Sequence, residues 1–299
     1  MAGGGNTARF VRDITDAEVE DARRYGGKAS GLARMSRAGI PIPPAFVIGT
    51  AGFHHVRAHN GQIDAALMME VRQAIGRLES ASGKSFGGIE RPLLVSVRSG
   101  AAISMPGMMD TILNLGLTAQ SAFSLARMTG KPDFALDTWM RFWRMFSDIV
   151  LDVDSAELTE AVADLRKNAR LTDTPEAYSA LEDAVLDHLS AYGATPRREP
   201  WEQLELTIGA IFRSWDSARA KAYRQHHRIA DDLGTAVTVQ AMVFGNADQN
   251  SGSGVAFTRN PNNGGKALYG EYLIGRQGED LVSGAHTPID LADPMAMDK

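Results

Sequence analysis

Apolar positions change their period twice along this chain, which divides it into three stretches. Up to about residue 117, helical spacing alternates with short β-type runs. Asp16 to Ile40 reads as helix interrupted at Gly26-Gly27, and Pro41, Pro43 and Pro44 must end it. Ala45–Thr50 (AFVIGT) and Leu93–Val97 (LLVSV) read as strands. From 118 to 233 the spacing is helical almost throughout. Trp201, Leu204, Ile208, Ile211, Phe212, Trp215 and Ala218 form one stripe, and Phe134–Val153 and Ala156–Leu165 carry others. Pro175 and Pro196 to Pro200 read as loops between helices. From 234 the pattern turns to β, with strands expected at Thr235–Val243, Gly252–Thr258 and Lys266–Ile274 and a tight turn at Asn260–Gly265. Mixed α/β, then helices, then antiparallel β predicts an α+β domain with an all-helical insertion, its parts 1–117, 118–233 and 234–299 packing as one unit.

Composition narrows the functional classes. The 299 residues are 44% hydrophobic and 22% charged, which suits a globular chain with a sizeable core. There is no cysteine, which excludes disulfides, zinc–thiolate sites and thiol nucleophiles. A net charge of −5 argues against nucleic-acid or anionic-membrane partners, though it permits a local basic pocket. No stretch reaches the roughly 18 uninterrupted apolar residues of a membrane span. The opening MAGGGNTARFVRD reads as a short flexible lead without an apolar core, so a cytoplasmic protein is expected.

The 30 glycines cluster where charge and small residues suggest anion chemistry. In Ser96–Thr111 (SVRSGAAISMPGMMDT) an apolar strand delivers Arg98 into a Gly/Ser-rich loop. Small residues let backbone N–H groups approach an anion, and arginine adds fixed bidentate charge. The segment lacks the Gly-Lys-Ser/Thr of a Walker loop, and a purely structural strand–helix connection stays open. Lys28, in Gly26–Gly31 (GGKASG), follows a glycine pair near a helix start, where a lysine is electrostatically odd unless an anion is shared. A solvated surface lysine is the alternative. Gln240–Val243 could hold adenine through a strand backbone, or be plain core. Glu271, inside the apolar run around Tyr272 and Leu273, needs a partner if buried. Arg259, a metal or a ribose could serve. His54, His55 and His59 fall on a polar helix and His226 and His227 end another, without a metal-ligand constellation. The basic run Arg213–Arg228 reads as an ordinary amphipathic helix.

Several segments in order resemble the nucleotide-binding domain of the pyruvate, phosphate dikinase family. They are GGKASGLARMSRAGIPIPPAFVI (26–48), LLVSVRSGAAISMPGMMDTILNLGL (93–117), SWDSARAKAYR (214–224), TVQAMVFGN (238–246), and SGSGVAFTRNP with GEYLIGRQGEDLVSG (251–284). The resemblance spans nearly the whole chain and implies an ATP-grasp fold, with ATP held between two lobes. It implies that Lys28 and Arg98 contact phosphates and take part in transfer, that the loop ending at Gly107 and Thr111 covers the polyphosphate, that Gln240, Met242 and Val243 line the adenine pocket, and that Glu271 lies near ribose or phosphate. In the family, ATP phosphorylates a histidine on a separate swivelling domain, and a further domain exchanges that group with pyruvate and phosphoenolpyruvate.

The chain departs from the family pattern where it stops. The acidic strand that would hold Mg²⁺ and a following Gln-Thr-Arg strand lie beyond residue 299, as do the phosphohistidine and pyruvate domains, so the metal ligands are unassigned. His286 resembles no phospho-acceptor and reads as a turn residue. Two functional readings follow. One is the ATP-binding part of a dikinase. The other is a stand-alone nucleotide-binding or partner-docking module of the same fold without the chemistry.

Overall fold

The computed structural model describes residues 9–168, 174–282, 284 and 286–292. The N-terminal lead up to Ala8 lies outside them. The elements run β1 (Val11–Asp13), α1 (Ala22–Arg37), β2 (Ala45–Ile48), α2 (Thr50–Ala58), α3 (Ala65–Ser82), β3 (Val95–Gly100) and β4 (Thr111–Leu115). Helices α4 (Ala119–Thr129), α5 (Pro132–Phe146), α6 (Ser155–Asn168), α7 (Pro175–Ala191), α8 (Pro200–Ser214) and α9 (Ala218–His227) come next. The chain ends with β5 (Ala236–Ala241), β6 (Gly252–Phe257), β7 (Tyr269–Ile274), α10 (Gly278–Val282) and β8 (Ile289–Asp290). Two compact units result, Met1–Met242 and Val243–Lys299.

In the first unit a five-stranded antiparallel sheet has the order β1-β2-β5-β3-β4. The sequence pattern grouped β5 with the later strands. The structure instead sets it between β2 and β3, with Phe46 opposite Val239 and Val97 opposite that same residue on the other edge. All six residues of β5 are buried, because strands flank both edges and helices cover the faces. Helix α1 packs Tyr25, Ala29 and Ala33 against Ile14, Val47 and Ala236 of the sheet layer.

Between β4 and β5 the described chain is helical. Trp139, Phe142, Trp143 and Phe146, all on α5, are fully buried and stack edge-on or tilted on one another. Pro132, Pro175 and Pro200 each occupy the first turn of a helix, where the missing N–H is no loss. Pro175 and Pro200, read from the sequence as loop markers, therefore begin α7 and α8. Arg224, within the basic run read as an ordinary amphipathic helix, is 1% exposed.

The second unit contains the three-stranded sheet β6-β7-β8. The turn at Asn260–Gly265 forms, with Gly264 N–H donating to the Asn260 carbonyl at 2.8 Å. Among the described residues no helix is long and apolar enough to cross a membrane.

Candidate functional site

The end of β3 and the start of α1 meet through glycine. Gly26 breaks α1 with φ +79°, and a Cβ there would lie 2.0 Å from the Gly100 carbonyl oxygen. Only a residue without a side chain permits this approach. Gly27 N–H then donates to the Ala101 carbonyl at 2.9 Å. Lys28 follows at once, and its Nζ donates to the Ser99 carbonyl at 2.7 Å.

Arg98 lies one residue back on β3. Its Nη2 donates to Gln240 Oε1, and Gln240 Nε2 donates to the Pro43 carbonyl at 3.1 Å. The Ser96 hydroxyl donates to the Gln240 carbonyl at 3.4 Å. Gln240 is thus a bracket across β2, β5 and β3 that fixes the guanidinium, while Arg98 Nε is buried without a partner. Burial lowers the pKa of Arg98. Lys28 is exposed along its length, yet desolvation at its ammonium lowers its pKa, and repulsion from Arg98 adds to the shift. Two neighbouring cations in partly dry surroundings create a deficit that an anion would relieve.

Lys28 lines a pocket of about 440 Å³ together with Gly27, Ser99 and most of the loop 100–109; Arg98 is the residue before Ser99 and is not itself part of the lining. Gly107 lies in its wall at φ +71°, with open space where a side chain would project. Thr111 starts β4 opposite Arg98. Asp110 ends the loop, and its carboxylate accepts from Arg219 Nη2 on α9 at 2.7 Å. The residues lining the pocket include no carboxylate, and no group of three or more His, Asp or Glu among the described residues could hold a metal. These residues do not fit a Mg²⁺ site.

Of the sequence candidates, Lys28, Arg98, Gln240, Thr111 and Gly107 therefore come together in the first unit. The backbone N–H groups of Ala241 and Met242 are occupied by the carbonyls of Pro44 and Leu94, each at 2.9 Å. Val243 is 68% exposed and its carbonyl accepts from Gln277 at 3.2 Å. Glu271 is exposed on β7 opposite Asp290, while Gly270 and Leu273 of the same strand are buried. Arg259 donates to the Gly264 carbonyl at 3.4 Å, so the Glu271–Arg259 pairing considered from the sequence does not form. Two contacts escaped the sequence reading, Gln240–Arg98 and Arg219–Asp110. Each joins segments more than 100 positions apart. The only sequence signal was that both partners sit in segments shared with the family.

Residues 59–292 match the model of the family described as the pyruvate phosphate dikinase AMP/ATP-binding domain. The chain is 42% identical over 287 residues to the pyruvate, phosphate dikinase of Clostridium symbiosum, covering 94% of this chain and 33% of the relative. It is 42% identical over 294 residues to the Rhizobium meliloti enzyme, covering 95% and 32%. Against the chloroplastic pyruvate, phosphate dikinase 1 of Zea mays it is 44% identical over 271 residues, covering 89% and 28%. The chain spans about a third of the length of these relatives.

Proposed function

The chain belongs to the family of the pyruvate phosphate dikinase AMP/ATP-binding domain, and on that premise we propose that it binds ATP with the polyphosphate in the 440 Å³ pocket beside Lys28 and Arg98. The observation that carries this reading is the pair of crowded cations at a glycine-built junction. Arg98 is pre-set by Gln240 and keeps a buried, unpartnered Nε donor. Preorganised donors bind developing or fixed negative charge without reorganisation.

In this reading Lys28 and Arg98 take the phosphate oxygens, and backbone N–H groups of the loop 100–109 close over them. Gln240 orients Arg98, while Met242 borders the adenine. The fold is of the ATP-grasp type. The chemistry served is phosphoryl transfer from ATP to a histidine of a separate domain, then to pyruvate, as in a dikinase. Positioning and charge neutralisation dominate such transfers, and these residues supply both. Mg²⁺, where the reaction uses it, would neutralise phosphate charge through ligands other than the pocket lining.

Replacing Arg98 by Ala tests the reading. ATP affinity, measured by titration calorimetry, should fall by about 1.5–3 kcal/mol, as for hydrogen bonds to a charged group. AMP affinity should fall less. A folded Arg98→Ala variant that binds ATP like the parent removes Arg98 from the site.

A further inference from the structure

The pocket loop is held at its two ends by different devices. At the near end, Gly26 packs on Gly100 and Gly27 N–H bonds the Ala101 carbonyl at 2.9 Å. At the far end, Asp110 has two tasks. Its carbonyl accepts from Ser99 N–H at 3.4 Å, and its carboxylate accepts from Arg219 at 2.7 Å. Between these ends the loop has little of its own structure. It buries Met105 and closes one turn, from Met108 N–H to the Met105 carbonyl at 3.2 Å.

Arg219 does not reach Asp110 by chance of a mobile side chain on a mobile helix. The Ser217 hydroxyl caps α9 by accepting from Ala220 N–H at 3.2 Å. One turn on, the buried Arg224 stacks over the Trp215 ring at 4.1 Å, donates to the Trp215 carbonyl, and pairs with Asp231 at 2.7 Å. Trp215 is itself fully buried, and its Nε1 donates to the Asp231 carbonyl at 3.1 Å. The segment SWDSARAKAYR is thus a fixed mount with one guanidinium, that of Arg219, extended to the loop. Its partner Asp110 is well covered, its side chain 22% exposed, whereas Arg219 is 56% exposed.

We propose that the Arg219–Asp110 pair latches the far end of the pocket loop, making Arg219 a positioning residue for the polyphosphate. The part of this that concerns nucleotide rests on the ATP-binding reading above; the latch itself does not. An exposed ion pair contributes little to global stability. A loop with few other anchors opens at low cost, so a pair of this strength is enough to shift its population severalfold.

The test uses the full 299-residue chain without nucleotide. Arg219→Ala should speed amide exchange in residues 101–110 by about fivefold, the upper range for an exposed pair. Exchange in β5 should not change. Asp110→Asn should do the same, and the double variant should exceed neither single variant, because the two substitutions remove one contact. ATP dissociation constants should rise by a similar factor. Unchanged loop exchange in Arg219→Ala, faster exchange spread over β5, or additive effects in the double variant would each overturn the latch. If the parent chain binds no ATP, the nucleotide reading fails while the exchange data still decide the latch.

Discussion

Strands β5 and β6 are each six residues long and rich in small and β-branched residues, yet they meet opposite fates. Every residue of β5 is buried; no residue of β6 is, and Val255 and Phe257 are 39% and 44% exposed. The difference lies in the neighbours. β5 has a strand on each side, and helices α1, α2 and α8 contact it. Among the described residues β6 pairs with β7 alone, and the two backbones approach closely, as at Gly270, where a Cβ would stand 2.4 Å from the Val255 carbonyl oxygen. The first sheet is held by side-chain burial and the second by strand pairing at close range. The Lys28–Arg98 site belongs to the first, where a rigid wall can hold two like charges near each other.

The largest effect is expected at the glycine junction of the first unit. Gly26→Ala imposes an unfavourable φ and a Cβ 2.0 Å from the Gly100 oxygen. Strain and overpacking together should cost at least about 3 kcal/mol in urea unfolding, with ATP binding lost as Lys28 is displaced. Stability within about 1 kcal/mol of the parent would show that α1 does not need that approach.

A matched pair of truncations sharpens the contrast between the strands. Val239→Ala should lose roughly 2 kcal/mol from two buried methyl groups and their cavity. Val255→Ala should change unfolding by no more than about 0.5 kcal/mol. Equal losses would mean that β6 is covered in solution.

The smallest effect is electrostatic. Lys28 has a lowered pKa in the fold, so the unfolded chain holds its proton to higher pH, near the ordinary 10.5. Stability should therefore rise as pH climbs from the lowered value toward 10.5. ATP affinity should move the other way, by at most about tenfold per pH unit, since the neutral amine no longer attracts phosphate. Lys28→Met should flatten both trends. A parent stability curve that rises no more steeply across this range than that of Lys28→Met would contradict the crowding of Lys28.

The helical stretch between β4 and β5, the break at Gly26 and the turn at Asn260–Gly265 were legible in the sequence, which also brought forward Lys28 and Arg98 as candidates for anion contact. These features are local. A period of 3.6 or 2, a glycine pair beside a lysine, or a strand that runs into small residues is written within about ten positions. Tertiary structure alone decided that β5 leaves its neighbours in sequence and enters the first sheet, that Gln240 turns its amide to Arg98 and Pro43, that Glu271 faces solvent, and that Arg224 is buried while Arg219 on the same helix reaches Asp110. Each of these depends on which strands become neighbours and which helix face is covered. Many strand orders satisfy the same alternation, and only the packed sheet fixes the partners of residues 109 or 142 positions apart.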